Sequence, residues 1–351
     1  MNTRLFTLDY LRGFAAFGIM VYHFLFWLNG AFTSDQFMGR VGVYGVAIFY
    51  VLSGLTLYHV YEPSESGKLF SVFSFAKKRI YRIFPLLWLV TLCAIILSRK
   101  VPNLVDVLLN ITGLFGFVKW DVYFSTGVWS IGNELVFYSV FPILLAASLR
   151  MRGVFYFLLM ALAILYSYFA FGVIDSSRPL SEQWHEYVNP LNQIFLFAAG
   201  IAIGHFTKKQ RISNSWSAIM IVVGLLLFTL YPADGNTVQL ITGVNRWVFT
   251  LACLLVCFGT YKLNVRTPQL IHRALSFLGE ASYSVYLLHP LVFTVWAFLF
   301  HWGEGKGVVI PWPLLLVIPI GITLVLSYFV YEYFEKYFMR KGRHSSPGSP
   351  S

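Results

Sequence analysis

Long apolar blocks constrain this chain more than any other feature of its sequence. A helix of about 20 residues spans the ~30 Å hydrocarbon core of a bilayer, and a spanning segment must satisfy its own backbone hydrogen bonds. We therefore predict an all-α, polytopic transmembrane helical bundle with about ten spans. The predicted spans are residues 6–28, 42–60, 83–98, 128–149, 153–172, 190–207, 215–231, 246–261, 278–300 and 308–334.

The charge distribution indicates a membrane protein rather than a nucleic-acid-binding protein. Charged residues are 12% of the chain, about half the usual share of a soluble domain, although the net charge is +11. The basic residues cluster at one set of block ends, which is the pattern of cytoplasmic loops. They are Lys77, Lys78, Arg79 and Arg82; Arg150 and Arg152; Lys208, Lys209 and Arg211; Lys262, Arg266 and Arg273; and Lys336, Arg340, Lys341 and Arg343.

The same rule sets the topology. A weaker apolar block at 103–118 would put every later basic loop outside if it crossed, so we expect it to dip in or lie at the interface. Both termini are then cytoplasmic. Residues 1–338 form one transmembrane domain, and the polar segment 339–351 is predicted to be a disordered cytoplasmic tail.

Cysteine usage gives no sign of a disulfide framework or a metal site. Cys93, Cys253 and Cys257 all lie inside apolar blocks. Small buried residues are the expected role for such cysteines. We predict no metal cofactor.

The first block joins Arg12 to His23 through ten residues that are apolar or glycine apart from Tyr22. On a helix the two side chains are about 16 Å apart along the axis and share one face. Ionisable groups within a membrane usually face the bundle interior or a water-filled path. A catalytic base at His23 is one interpretation. The alternative is that Arg12 extends to the headgroups and His23 is a hydrogen-bonded core residue.

Glu134 lies in the span that starts at Val128, at a depth of roughly 9 Å that resembles the depth of His23. A buried carboxylate needs a partner, and a histidine–carboxylate pair forms a general base. We therefore predict that Glu134 orients the His23 ring. A structural role for Glu134, bonded to nearby Trp, Tyr or Asn side chains, is the alternative.

Two further stretches carry polar groups at informative positions. Arg79 and Arg82 are three residues apart on a predicted helical face, and two guanidinium forks suit a phosphate group. They could equally be a topology signal that touches lipid phosphates. His289 precedes Pro290, where a kink is expected, and a structural role for it is the simpler interpretation.

Five motifs together resemble the acyltransferase-3 family of integral membrane acyltransferases. They cover nearly the whole chain in the family's order, which makes the resemblance more specific than any motif alone. The motifs are LDYLRGFAAFGIMVYH, GVAIFYVLSG, KKRIYRIFPLLW, WSIGNELVFY and SYSVYLLHP.

The resemblance implies an O-acyltransferase of the inner (cytoplasmic) membrane. The family moves acyl groups, usually acetyl from acetyl-CoA, onto hydroxyls of cell-envelope carbohydrates or lipid-linked glycans. It implies that His23 is the catalytic base, that Arg12 and Glu134 are essential, and that Arg79 and Arg82 contact the CoA, with Arg12 as a further candidate contact. Some members carry an extra soluble hydrolase-like domain, and this chain is expected to be the form without it.

Other functions fit part of the same pattern. A proton-coupled transporter also places His and Glu within the membrane, although the inverted repeats of many transporters are absent from the sequence. A non-catalytic partner in polysaccharide export is a third class. Within the acyltransferase hypothesis, an acyl-histidine relay is the alternative to direct transfer.

Overall fold

The structure is a computed structural model that describes residues 5–62, 70–265 and 267–344. Its ordered elements are helices joined by short turns and loops. The helices are α1 (Phe6–Asn29), α2 (Phe37–Tyr61), α3 (Val72–Ser98), α4 (Leu104–Thr112), α5 (Phe115–Val118), α6 (Val128–Arg150), α7 (Arg152–Tyr168), α8 (Trp184–Tyr187), α9 (Pro190–Thr207), α10 (Asn214–Leu230), α11 (Gly243–Lys262), α12 (Gln269–Glu280), α13 (Ser282–Glu304), α14 (Trp312–Phe329) and α15 (Lys336–His344).

The predicted all-α membrane bundle is confirmed. Nine helical segments of the described residues are long and apolar enough to cross a bilayer. The remaining predicted span, 215–231, corresponds to α10, which has 17 residues and is about 26 Å long. The block at 103–118 forms only α4 and α5, of 9 and 4 residues, and these are too short to cross.

The largest differences from the predicted spans are an earlier start of α3 and a break before α13. α3 begins at Val72 rather than at residue 83, because Ser71 caps it by accepting a hydrogen bond from the Ser74 amide at 3.3 Å. The basic segment is therefore the first part of the spanning helix. The predicted span 278–300 is broken at Ala281, which separates α12 from α13. α13 then continues through Pro290.

The last helix extends into the predicted tail. A π-helical turn at Val330–Glu335 connects α14 to α15, and α15 runs to His344. Gly342 of α15 lies against the Tyr81 ring of α3. The segment that makes this contact is helical, whereas we expected it to be disordered. The remainder of the predicted tail, 345–351, lies outside the described residues, as does Arg266 of the predicted basic clusters.

The centre of the bundle is a close contact between α2 and α9. A β-carbon on Gly54 would overlap the Phe197 carbonyl oxygen, and one on Gly200 would overlap that of Val51. The two backbones touch at these glycines, which is how small residues hold membrane helices together. This contact fixes α2, and with it the side chain of the neighbouring Ser53.

A buried arginine on α2 closes the end of another helix. Arg40 is 3% exposed and donates hydrogen bonds of 2.8 Å to the carbonyls of Ser34, Phe228 and Tyr231. Carbonyls at a helix C-terminus lack intrahelical partners and carry partial negative charge. The guanidinium therefore satisfies the end of α10 while it obtains acceptors for its own buried donors.

The α2–α9 contact predicts opposite effects for two glycine substitutions. Gly200→Ala should lower the free energy of unfolding by at least ~1–3 kcal/mol, because the methyl group meets the Val51 carbonyl. Gly153→Ala is the matched control: nothing lies within 4 Å, and alanine is the better helix former by ~0.8–1 kcal/mol. Thermal unfolding of the detergent-purified variants measures both. Equal midpoints would show that the close contact is not maintained.

The topology predicts where introduced cysteines react. In a Cys93→Ser background, Lys100→Cys and Thr126→Cys should both react with a membrane-impermeant maleimide in intact spheroplasts. Lys209→Cys should react only after lysis, because three spans, α6, α7 and α9, separate it from Thr126. Labelling of positions 100 and 126 from opposite sides would show that the block 103–118 crosses the membrane.

Candidate functional site

A cavity of about 170 Å³ with both apolar and charged lining residues lies among α1, α2, α3, α6 and α13. The helices bring together groups that are far apart in the sequence. Its polar lining includes Arg12, Ser53, Arg79, Arg82, Glu134 and Tyr286. Four of the five residues singled out from the sequence, all but His23, therefore share one cavity.

The Glu134 carboxylate is held by two hydroxyl groups. Ser53 Oγ donates to Glu134 Oε1 at 3.0 Å, and the Tyr138 hydroxyl donates to the same oxygen from one turn further along α6. The Ser53 and Tyr138 hydroxyls are themselves 3.2 Å apart. A carboxylate held in this way has a fixed orientation, and one of its oxygens is already occupied.

The guanidinium groups reach the same cavity from α3 and α1. The Arg79 guanidinium lies over the Tyr138 ring at 5.4 Å, and its buried Nε has no hydrogen-bond partner among the described residues. Arg82, three residues on, also lines the cavity. Arg12 pairs with Asp9 at 3.5 Å, as i,i+3 neighbours on α1, and donates to Thr56 Oγ1 at 3.3 Å.

The cavity has an excess of positive charge. The guanidinium groups of Arg12, Arg79 and Arg82 face one lining carboxylate, Glu134, and Asp9 outside the lining pairs with Arg12, which leaves one more cation than carboxylates. Buried charges without partners are unfavourable, and an unsatisfied guanidinium donor at Arg79 adds to that cost. The arrangement therefore favours an anionic ligand, and guanidinium forks bind phosphate oxygens in bidentate fashion.

His23 has a different partner from the one predicted. Its Nδ1 lies 2.9 Å from Nε2 of His289, and the two rings are within 18° of parallel. The predicted pairing of His23 with Glu134 has no hydrogen bond between the two side chains among the described residues: Glu134 Oε1 accepts from Ser53 and Tyr138 instead. The physical reason is that α1 packs against α2, α12 and α13, so that His23 faces α13 rather than α6.

Tyr286 connects the two groups of residues. It lines the cavity, and its ring centroid is 6.0 Å from that of His289, which lies one turn further along α13. Its hydroxyl is 2.9 Å from Ser130 Oγ and donates to the Gly127 carbonyl at 3.1 Å. The histidine pair therefore lies next to the cavity, beyond Tyr286.

Sequence reasoning missed several residues of this site. Tyr138 is four residues after Glu134, and an acid–tyrosine pair at i,i+4 on a helix was a usable signal. Ser53 lies in the second of the five motifs, but the motif alone assigns it no role. A structural role was the simpler prediction for His289. Nothing in the sequence indicates the His23–His289 contact, because it depends on which face of α1 meets α13.

Among the described residues, no group of three or more His, Cys, Asp or Glu side chains could hold a metal ion. The three cysteines are free thiols, and Cys253 and Cys257 are buried in α11. The polar lining of the cavity consists of guanidinium, carboxylate and hydroxyl groups.

The fold and the cavity define a class: a multi-pass membrane protein with an arginine-lined site among its helices. Residues 5–332 match the family described as "Acyltransferase domain", the acyltransferase-3 type. The chain belongs to this family, as the five motifs predicted. No solved structure matches the chain.

Three relatives illustrate the similarity. The exopolysaccharide production protein ExoZ of Rhizobium meliloti is 28% identical over 322 residues, which cover 86% of this chain and 91% of that protein. O-acetyltransferase OatA of Staphylococcus aureus is 24% identical, over 95% of this chain and 57% of OatA. The putative peptidoglycan O-acetyltransferase YrhL of Bacillus subtilis is 23% identical, over 96% and 55%. The chain spans little more than half the length of these last two.

Proposed function

We propose that this protein is a membrane O-acetyltransferase that moves the acetyl group of cytoplasmic acetyl-CoA onto a hydroxyl of a cell-envelope carbohydrate. Family membership supports the acyl-transfer chemistry. The observation that carries the proposal is the cavity in which Arg12, Arg79 and Arg82 meet one fixed carboxylate. An inner-membrane location follows from a cytoplasmic donor and an envelope acceptor.

The arginines are the proposed donor-binding groups. CoA carries a diphosphate and a 3′-phosphate, and these would meet the cavity at the cytoplasmic ends of α1 and α3. Burial strengthens the attraction between the guanidinium groups and the phosphates. The thin pantetheine arm would then extend past Tyr286 toward His23. Lys77 and Lys78, beside the arginines in sequence, add positive charge to the same end of α3.

The proposed chemistry is a direct acyl transfer with His23 as general base. The acceptor hydroxyl attacks the thioester carbonyl while His23 removes its proton. The new carbon–oxygen bond forms and the carbon–sulfur bond breaks. The thiolate of CoA leaves with the electron pair and takes up the proton that His23 removed, which restores the neutral base. An acetyl ester and free CoA are the products. General-base catalysis of this kind contributes typically 10²–10⁴-fold.

Glu134 has a different proposed role from the one expected from the sequence. Because it is bonded to Ser53 and Tyr138 and shares a cavity with Arg79, it serves as a counter-ion that positions the guanidinium groups. Its loss should therefore affect donor binding more than proton transfer. Ser53 and Tyr138 act through it.

The acceptor class comes from the relatives. Their names connect them with exopolysaccharide production and with peptidoglycan O-acetylation. We infer that the acceptor is a carbohydrate or a lipid-linked glycan at the outer side of the membrane.

The first test supplies membranes containing the protein with acetyl-CoA labelled in the acetyl group and measures base-labile label in the glycan fraction. The proposal would be rejected if membranes that contain the protein transferred no more label to the glycan fraction than membranes that lack it.

The donor site makes a prediction for the arginines. The double substitution Arg79→Ala and Arg82→Ala should raise the KM for acetyl-CoA at least ~10-fold, because each hydrogen bond between charged groups is worth ~1.5–3 kcal/mol. The double lysine variant should recover little, since lysine lacks the planar fork. Lys209→Ala, which removes an exposed positive charge on the cytoplasmic side, is the control and should behave as wild type. An unchanged KM in the double alanine variant would contradict phosphate binding by these two arginines and would leave a topology signal as their role.

The separation of His23 from Glu134 predicts nearly additive effects. His23→Ala should lower kcat by ~10²–10⁴-fold, whereas Glu134→Gln should mainly raise the KM for acetyl-CoA. The double variant should show both losses, because groups that do not touch usually act independently. The measurement is labelled transfer in membranes, normalised to protein amount. A double variant no worse than His23→Ala would show that the two side chains act as one unit.

A further inference from the structure

We propose that His289 is a positioning residue that fixes the tautomer of His23 and leaves Nε2 of His23 free to accept the substrate proton. The inference rests on the proposed function of His23 and deepens it. It follows from two short contacts and from the burial of one ring.

The first contact fixes the proton on His289. Nδ1 of His289 lies 3.1 Å from the Val285 carbonyl oxygen, one turn back on α13. A carbonyl oxygen only accepts hydrogen bonds, so Nδ1 carries the hydrogen and donates it. His289 is 0% exposed, and burial favours the neutral ring. Its Nε2 is therefore a bare acceptor.

The second contact transmits this arrangement to His23. Nδ1 of His23 lies 2.9 Å from Nε2 of His289. Because Nε2 of His289 accepts, Nδ1 of His23 must donate and carry its hydrogen. The neutral His23 ring then has its lone pair on Nε2. A general base needs this lone pair, and the opposite tautomer would place a hydrogen there instead.

The surroundings also suit the protonated form of His23. When Nε2 takes up a proton, Nδ1–H still donates to His289, so the existing bond becomes charge-assisted and stronger. The Trp27 ring lies parallel to His23 on the same helix, with centroids 5.2 Å apart and planes 15° apart. An aromatic face stabilises a cation that lies over it. His289 thus does for His23 what a carboxylate does in a catalytic triad, without bringing a second charge into the membrane.

The test compares two substitutions at His289. Leucine removes the acceptor, whereas glutamine keeps an oxygen that accepts from His23 and an amide that donates to Val285. We measure kcat and KM for acetyl-CoA from labelled transfer in membranes. His289→Leu should lower kcat at least ~10-fold with KM within about twofold, and His289→Gln should stay within about fivefold of wild type.

Controls separate this inference from the proposed function. Val292→Ala removes buried volume from the same helix and should leave kcat unchanged. If His289→Leu does not fold, as judged by size-exclusion profile, His289→Met takes its place with the same expected loss. Equal losses for the leucine and glutamine variants, or a loss below tenfold for leucine, overturn the positioning role. Full activity of His23→Ala would instead reject His23 as the base.

Discussion

The contact between α2 and α9 is the constraint on which the site depends. In a bilayer the hydrophobic effect does not drive helices together, so close packing and hydrogen bonds must hold the bundle. Gly54 and Gly200 let the two backbones touch, and α2 is the most buried of the long helices among the described residues. One turn of α2 around that contact presents Ser53 to Glu134 and Thr56 to Arg12. The polar cavity exists because a glycine contact fixes the helix beside it.

Buried arginines in this bundle have two kinds of surroundings. Arg40 takes the free carbonyls of α10, and Arg246 on α11 donates to Asn192 and lies over the Tyr166 ring. Both are enclosed by the helices whose groups they contact. Arg79 instead lines a cavity with room for a ligand. Unsatisfied donors alone do not distinguish it, because Nε and Nη1 of the enclosed Arg246 also lack an acceptor among the described residues. The difference in surroundings separates arginines that hold the bundle together from arginines available to a ligand.

The sequence was sufficient for the membrane spans, because apolar length is a local property, and its motifs singled out Arg12, Arg79, Arg82 and Glu134. It did not predict that Glu134 shares a cavity with the three arginines. It was insufficient for the partner of His23. Depth along a helix was counted from the predicted membrane surface, but α13 extends fifteen residues beyond His289 and α1 only six beyond His23. His23 and His289 are in contact although their counts differ, so the number of residues to a helix end does not give relative depth. No count reveals which face of α1 meets α13. The extension of α15 was missed because its packing on α3 is a tertiary contact.

The placement of the positive charge has a consequence for turnover. If acetyl-CoA is the donor, the cavity arginines hold the phosphates, which the donor shares with the CoA that remains after transfer. The phosphate contacts bind acetyl-CoA and CoA equally well, so they do not favour the donor over the product. The rate of acetylation would then respond to the ratio of the two in the cytoplasm rather than to either concentration alone. With acetyl-CoA as donor, the extent of acetylation would therefore follow the proportion of CoA that carries an acetyl group.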